Sequence, residues 1–266
     1  MMGTFSAEWL TLREPADRAA RSPAATSAIA GLFAARGTVD VLDLAAGTGS
    51  NVRYLSPHLP RDQQWLLVDH DPDLLAQAAS LVFPWGQPAT QCADLRSLDV
   101  SMFSGRDLVT SSALLDLVSV EWVRLLARRC RDEWAPVLCA LIYDGRILCE
   151  PEDEADVRVR DLVNRHQATD KGFGPALGPS AAEAAADAFR SEGYQVRLDR
   201  SDWLLDAAVD ARLQEQLVDG WASAASEIAP AEAATIHAWR TRRLGHVSAG
   251  RSRIRVGHQD LAAWPS

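Results

Sequence analysis

Three aspartates stand where strands of a parallel sheet would end, and their carboxylates could bind a single ligand. Asp43 lies in the apolar run 39–44, while Asp69 and Asp94 close or follow two further short apolar runs. Open α/β sheets bind ligands at the carboxyl ends of their strands. There, one carboxylate can pair with an ammonium group, a second can hold both ribose hydroxyls, and a third can accept from the exocyclic amine of adenine. The pattern predicts a ligand carrying an amine, a diol and an adenine.

A turn of small residues follows the first of these runs. Residues 45–49 read AAGTG, with Gly47 and Gly49 just ahead of a predicted helix at 50–59. A ligand can approach the backbone closely only where no side chain stands between them. We therefore predict that this turn touches the ligand beside Asp43.

The elements that carry these residues alternate in type. Strand-length apolar runs and helical segments follow one another through residue 143, which is typical of an α/β fold with a parallel sheet. The predicted strands lie at 39–44, 65–69, 90–93, 107–111, 136–143, 194–198 and 252–256. The predicted helices lie at 9–35 (two pieces separated by Pro15 and Pro23), 50–59, 72–82, 121–134, 153–166, 181–191, 207–225 and 231–243.

Four motifs within residues 38–143 carry a family resemblance. They are DLAAGTG at 43–49, VDHDPDLL at 68–75, ADL at 93–95 and DLVTSSALL at 107–115. Together they resemble class I S-adenosylmethionine-dependent methyltransferases, which usually carry glycine where Ala45 stands. The resemblance implies a Rossmann-like, seven-stranded, mostly parallel sheet in the order 3-2-1-4-5-7-6, with an antiparallel last strand, helices on both faces and helical insertions. It also implies S-adenosylmethionine as cofactor and methyl transfer as reaction.

The same resemblance implies a role for each matched residue. Asp43 and Gly47 would line the methionine end of the cofactor, Asp69 would hold the ribose, and Asp94 with Leu95 would hold the adenine. Ser111 and Ser112 match the position where the substrate meets the methyl group. The predicted cofactor-binding residues are Asp43, Ala45, Gly47, Gly49, Asn51, Asp69, His70, Asp94, Leu95 and Ser111.

Two other functions remain open. A nicotinamide-dependent oxidoreductase would carry G-x-G-x-x-G, but here Gly47-Thr48-Gly49 is followed by SNV, and Asp43 ahead of the turn would repel a diphosphate. A non-catalytic S-adenosylmethionine-binding protein would keep the three acids and lack an acceptor site.

Three residues are predicted to take part in catalysis. Tyr143 stands at the end of the fifth predicted strand, at the edge of the sheet where ligands bind. His166 has the intrinsic pKa that suits proton removal. Lys171 is the only lysine of the chain, and the glycines on either side of Phe173 suit a mobile lid. Whether the methyl acceptor is an oxygen, nitrogen or carbon atom stays open at this point.

We predict a single methyltransferase domain over residues 1–266. It would contain an N-terminal helical cap at 1–36, a cofactor-binding core at 38–149, an insertion or lid at 150–180, and a helical insertion at 207–245 before the last strand. Insertions above the methyl end of the cofactor favour a small-molecule acceptor. The 207–245 helices could shape its pocket or form a homodimer surface. Trp203, Trp221 and Trp239 are predicted to be core residues.

Charge and hydropathy limit the partners. The formal net charge is -9, whereas proteins that grip a phosphate backbone carry a basic face. The longest aliphatic run, at 137–143, is far too short for a membrane span, and the start lacks a secretion signal. None of the four cysteines forms a CxxC pair, so reduced thiols are expected. We therefore predict a cytoplasmic protein with a small-molecule acceptor and without nucleic-acid, membrane or metal partners.

Overall fold

The apolar runs of the sequence become the strands of one sheet, in a computed structural model that describes residues 5–266. The strands are β1 (Thr38–Leu44), β2 (Asp62–Asp69), β3 (Ala89–Cys92), β4 (Leu108–Ser112), β5 (Val137–Glu150), β6 (Tyr194–Arg200), β7 (Trp203–Asp206) and β8 (Arg253–Pro265). The helices are α1 (Ala7–Ala20), α2 (Pro23–Leu32), α3 (Ser50–Leu55), α4 (Pro72–Ala79), α5 (Val100–Phe103), α6 (Val120–Asp132), α7 (Asp156–Gln167), α8 (Ala181–Ser191), α9 (Ala207–Ile228) and α10 (Ala233–Ser248).

The strand order confirms the predicted α/β fold. It runs β3-β2-β1-β4-β5-β8-β6, and β1 to β5 pair in parallel. β8 occupies the place predicted for the seventh strand and is antiparallel to β5 and β6. Because the chain moves outward from β1 on one side and from β4 on the other, their carboxyl ends form the crevice where such sheets bind ligands.

The prediction of seven strands is one too few. β7 pairs with the beginning of β8, with Trp203 opposite Val256 and Asp206 opposite Arg253. It has only four residues, WLLD, whose types do not alternate between apolar and polar, and it leads directly into α9.

Of the two prolines predicted to interrupt the N-terminal helical segment, Pro23 marks the observed break and Pro15 does not. Pro15 lies inside α1, which continues past it although proline cannot donate a backbone hydrogen bond. The chain breaks instead after Ala20, and α2 begins at Pro23, where the Ser22 side chain accepts from the Ala25 amide. A proline in the first turn and a serine cap favour a helix start at that point.

β5 and β8 are much longer than predicted. They contain 14 and 13 residues, whereas the other strands contain four to eight. Register shifts between Cys139 and Ile142 and between Tyr143 and Ile147 interrupt their pairing, and Leu141 has a φ of 55°. These bulges break the alternation that would have revealed one continuous strand. We call residues 147–150 of β5 and 253–256 of β8 the outer arms.

Three hydrophobic clusters stabilise the molecule. One lies between the sheet and α5, α6 and α8, and a second lies on the opposite face under α2, α3 and α4. The third lies under the outer arms and is formed with β7, α7, α9 and α10. The third cluster therefore supports only the end of the sheet where β5 and β8 extend beyond the other strands.

Within residues 5–266, no helix is both long and apolar enough to cross a membrane. The same part of the chain contains no group of three or more His, Cys, Asp or Glu side chains arranged to hold a metal ion. All four cysteines are free thiols.

Candidate functional site

The turn after β1 presents backbone at the carboxyl edge of the sheet. Ala45, Gly47 and Gly49 have φ values of 55°, 51° and 80°, in the left-handed region that glycine adopts most easily. A Cβ on Gly49 would lie 2.8 Å from Cδ1 of Leu81, and one on Gly47 would lie 3.1 Å from Cδ1 of Leu10. The left-handed φ values therefore favour glycine at positions 47 and 49, and α1 packs directly against the turn through Leu10.

Asp69 lies at the end of β2 and faces this turn. Its Oδ2 accepts from the Gly47 amide at 2.8 Å, and its Oδ1 accepts from the Asp71 amide at 3.0 Å. Nδ1 of His70 lies 3.1 Å from Oδ1 of Asp69, while Nε2 of His70 is buried and has no partner within residues 5–266. The Asp69 carboxylate is therefore held in a fixed orientation at the strand end, and its role in binding a diol stays a prediction.

Asp43 is fully buried under the turn and joins a polar network. Nδ2 of Asn51 donates to Oδ1 of Asp43 and to Oγ1 of Thr110, each at 2.8 Å, and Nη1 of Arg21 donates to Oδ1 of Asn51 at 2.8 Å. Burial raises the pKa of Asp43 to about 7, although the Asn51 hydrogen bond and the Arg21 charge oppose the increase. Oδ2 of Asp43 has no partner in the described chain. A cation bound above the turn would compensate this buried carboxylate.

A cavity of about 470 Å³ opens from the turn. We call its first part the loop half; its walls include Ala45, Ala46, Gly47, Thr48, Asn51, Asp69, His70 and Leu95. We call its second part the aromatic half; its walls include Trp9, Arg13, Asp116, Tyr143, Trp203, Trp221, Val256 and His258. The volume lies within the range of small-ligand pockets, roughly 300–1,000 Å³.

Not every predicted cofactor residue lines the cavity. Asp43, Gly49, Asp94 and Ser111 lie outside its wall, where Ser112 and Ala113 stand instead of Ser111. Leu95 is buried in the wall, and its carbonyl accepts from Nε1 of Trp122 at 2.6 Å. Asp94 is exposed and paired with Arg96, whose hydrogen bonds lower the pKa of Asp94. The roles of these residues stay predictions.

The aromatic half is built from side chains of distant elements. The His258 ring on β8 lies between two other rings, with centroids 5.0 Å from Trp203 on β7 and 6.2 Å from Tyr143 on β5. Trp203 and Trp221 are buried, as predicted for core residues, but they also line the cavity; Trp239 is a core residue. Burial lowers the pKa of His258 to about 3, with the Arg13 charge adding to the effect, so His258 stays neutral.

Arg13 brings a fixed positive charge from α1 to this half. Its guanidinium forms a two-point ion pair with Asp17, at 2.8 and 3.0 Å, and lies over the Trp203 ring at 4.9 Å. Nε1 of Trp203 donates to Oδ1 of Asp17 at 3.0 Å. The N-terminal helix is thereby fastened to β7, because one carboxylate holds both partners.

Asp116 is a residue of the site that the sequence analysis missed. It follows β4 in a short 3-10 turn at Leu115–Leu117, is 7% exposed and lines the cavity. Burial raises its pKa to about 6, with the Arg13 charge opposing the increase. The available signal was that Asp116 is the only charged residue between Asp107 and Glu121, inside an otherwise apolar stretch. A charged residue in such a stretch folds into the interior.

The three residues predicted for catalysis all line the cavity, and each is held by neighbours. The Tyr143 hydroxyl donates to Oδ1 of Asn164 at 2.7 Å. Nε2 of His166 lies 3.2 Å from Glu227, and its Nδ1 lies 3.3 Å from Nζ of Lys171. Lys171 also donates to the His166 carbonyl and to Oγ1 of Thr169, both at 3.0 Å. The three donors of Lys171 thus fasten its own loop.

The comparisons with known proteins agree with this geometry. The family described as a methyltransferase domain matches residues 41–133, which include β1, the turn, Asp69, Asp94 and Asp116. The sequence finds no match among the curated proteins.

Solved structures share the fold at low identity. The YcgJ protein of Bacillus subtilis is 15% identical, with 92% of this chain and 100% of that chain covered and a TM-score of 0.51. A candidate methyltransferase of Bacillus halodurans is 13% identical, with 91% and 99% covered and a TM-score of 0.51. An S-adenosylmethionine-dependent methyltransferase of Geobacter sulfurreducens, solved with S-adenosyl-L-homocysteine, is 16% identical over the full length of both chains, with a TM-score of 0.48.

Proposed function

We propose that this chain, which belongs to the class I S-adenosylmethionine-dependent methyltransferases, methylates a small molecule that binds in the aromatic half of its cavity. The observation that carries the proposal is the continuity of the cavity. One continuous cavity extends from the backbone at Gly47 to the rings of Trp203 and His258. A donor bound in the loop half would therefore share this cavity with an acceptor in the aromatic half.

The residues of the loop half fit the cofactor. The narrow turn at Gly47, the oriented Asp69 carboxylate and the apolar Leu95 would hold the methionine end, the ribose and the adenine. The unpartnered Oδ2 of Asp43 below the turn would compensate the positive charge of the ligand. When bound, S-adenosylmethionine supplies an activated methyl group on a sulfonium. The chain contributes position and exclusion of water, which can supply about 7–11 kcal/mol in the best intramolecular comparisons.

The shape and charge of the site favour a small acceptor over a macromolecule. The cavity walls come from the sheet edge, from α1, from α9 and from the segment between α7 and α8. A protein or nucleic-acid strand would need an open groove, and the net charge of -9 opposes a phosphate backbone.

The segment between α7 and α8 is part of the proposal, as a lid. Phe173 lines the cavity and packs edge-on against Trp122, with ring centroids 6.0 Å apart. Gly172 and Gly174 flank it with φ values of 103° and 85°. Because glycine has the widest backbone freedom, Gly172 and Gly174 would allow the Phe173 ring to move away from the cavity and admit an acceptor.

Two measurements test the proposal. Calorimetry should detect binding of S-adenosylhomocysteine to the purified chain and a much weaker affinity in Asp69→Ala. The chain is then incubated with labelled S-adenosylmethionine and a cell extract divided into small-molecule and macromolecular fractions. Label should appear in the small-molecule fraction. Label in protein or nucleic acid would reject the small acceptor, and binding without any transfer would identify a non-catalytic binding protein.

A further inference from the structure

Asp116 is placed where an acceptor must lie. It follows β4 at the sheet edge, and β4 pairs with β1 on one side and β5 on the other. Asp116 therefore enters the aromatic half from the strand that lies between those carrying the turn at Gly47 and Tyr143. Arg13 and Tyr143 are its charged and titratable neighbours.

The Asp116 carboxylate is buried and incompletely satisfied. Only 7% of the residue is exposed, and its Oδ1 has no hydrogen-bond partner within residues 5–266. Arg13, the nearest cation, is engaged in its two-point pair with Asp17. Buried carboxylates in folded proteins are normally hydrogen-bonded, and an exception calls for an explanation. Because Oδ1 has almost no accessible surface, a donor group on a bound ligand would approach the carboxylate through Oδ2.

The walls around Asp116 define the rest of that ligand. Trp9, Tyr143, Trp203 and Trp221 surround the aromatic half, and the buried His258 stays neutral there. Flat apolar walls of this kind favour a planar aromatic molecule, since rings pair in stacked or edge-on arrangements.

We infer that the acceptor is a hydroxylated aromatic compound and that the Asp116 carboxylate binds its phenolic hydroxyl and takes the proton as the oxygen is methylated. This inference rests on the proposed function and names the substrate class of the same site. The phenolic O–H bond breaks and its proton goes to Asp116; the oxygen pair forms the bond to the methyl carbon, and the pair of the broken carbon–sulfur bond stays on sulfur.

Charge and acidity both favour a phenol. An amine acceptor would enter as an ammonium ion, which has no free electron pair to attack the methyl group, whereas a phenol enters neutral. A phenol loses its proton with a pKa of about 10, far more readily than an aliphatic alcohol. Because burial raises the pKa of Asp116 to about 6, its carboxylate is a stronger base than an exposed aspartate while remaining ionised near neutral pH.

The experiment uses the full chain saturated with S-adenosylhomocysteine and measures binding by calorimetry. Three probes are compared: β-naphthol, its methyl ether, and naphthylmethylamine as the ammonium analogue. We expect β-naphthol to bind at least fivefold more tightly than either of the others. That preference should disappear in Asp116→Leu and weaken in Asp116→Asn. Asp187→Asn, which changes a carboxylate with 77% exposure on α8, serves as the matched control and should behave like the unaltered chain.

The outcomes separate the two proposals. If the unaltered chain does not bind S-adenosylhomocysteine, the proposed function fails. If it does bind, equal affinity for β-naphthol and its ether, no binding of either, or tighter binding of the amine overturns the phenolic acceptor. A preference that persists in Asp116→Leu overturns the role of Asp116. Both Asp116 variants must bind S-adenosylhomocysteine normally, which shows that they are folded.

Discussion

The loop half of the cavity is formed mainly by backbone and small residues between positions 45 and 95, whereas the aromatic half is formed by large side chains from positions 9 to 258. In the loop half, neighbours in space are also near neighbours in sequence, so a short motif can define the site. In the aromatic half, α1, β5, β7, α9 and β8 all contribute residues. If the two halves bind donor and acceptor as proposed, donor binding depends on one short stretch of sequence, whereas acceptor binding depends on residues from most of the chain.

The largest effect on activity is expected at Asp116. If the two halves work separately, replacing Asp116 should impair reaction of the acceptor and leave donor binding unchanged. With β-naphthol as acceptor, Asp116→Asn should lower kcat about 100-fold, the lower end for loss of a general base. Because burial raises the pKa of Asp116 to about 6, the protonated, inactive form accumulates below that pH. The rate of the unaltered chain should fall roughly tenfold per unit below about pH 6, and the variant should lack this decline. A variant with full rate and an unchanged pH profile would contradict the role.

The converse effect is expected at Asp69, whose replacement should weaken donor binding and leave the acceptor site unaffected. Asp69→Ala removes the acceptor of the Gly47 hydrogen bond and the carboxylate proposed to bind the ribose. The loss should be about 2 kcal/mol, or roughly thirtyfold in the affinity for S-adenosylhomocysteine measured by calorimetry. Asp62→Ala, at the exposed opposite end of the same strand, is the control and should leave the affinity unchanged. Equal losses in the two variants would mean that β2 is merely destabilised.

Asp43 allows a measurement of how much folding stability is lost by burying an ionised carboxylate under the loop half. Its pKa rises from 3.8 to about 7 on folding, so the unfolded chain loses this proton first as the pH increases. The contribution of Asp43 to stability is therefore fully present below about pH 4 and is lost as the pH rises through about 7, by at most about 4 kcal/mol. Asp43→Asn should raise the melting temperature at pH 8 by about 5 °C and leave it unchanged near pH 4. The same variant should bind S-adenosylhomocysteine less tightly; a gain in affinity would contradict the proposed charge compensation.

The smallest effect is expected at Lys171, whose involvement in catalysis stays a prediction. Because its three hydrogen bonds end on His166 and Thr169, Lys171→Arg should disturb the loop more than the chemistry. We expect about a threefold increase in the KM of the acceptor and little change in kcat, since arginine keeps the charge but not the shape. A large loss of kcat at saturating acceptor would instead support a direct catalytic role.

The sequence allowed the fold and the loop half to be predicted for a clear physical reason. The strand, turn and helix around Asp43 and Gly47 are encoded by contiguous residues, and parallel strands bring Asp69 to the same edge. The strand order was also correct. The motif did not indicate which of Asp94 and Leu95 faces the cavity. That orientation depends on the turn after β3, where Asp94 is hydrogen-bonded to Arg96 outside the cavity.

The aromatic half was largely beyond prediction from the sequence. The bulges at Leu141 and Tyr143 hide the length of β5, and β7 is too short for a periodic signal. Trp203 is buried by hydrophobic contacts and also lines the cavity, so its type alone could not distinguish the two roles. Asp116 gave a signal, a single acid in an apolar stretch, but its meaning depended on the position of Arg13 more than 100 residues away.

The outer arms of β5 and β8 are packed separately from the rest of the sheet. The third hydrophobic cluster packs under these arms and is distinct from the two that flank the central sheet. The elements of this cluster also supply Tyr143, Trp203 and Trp221 to the aromatic half. A substitution that loosens the third cluster should therefore disturb the aromatic half before it reaches the turn between β1 and α3.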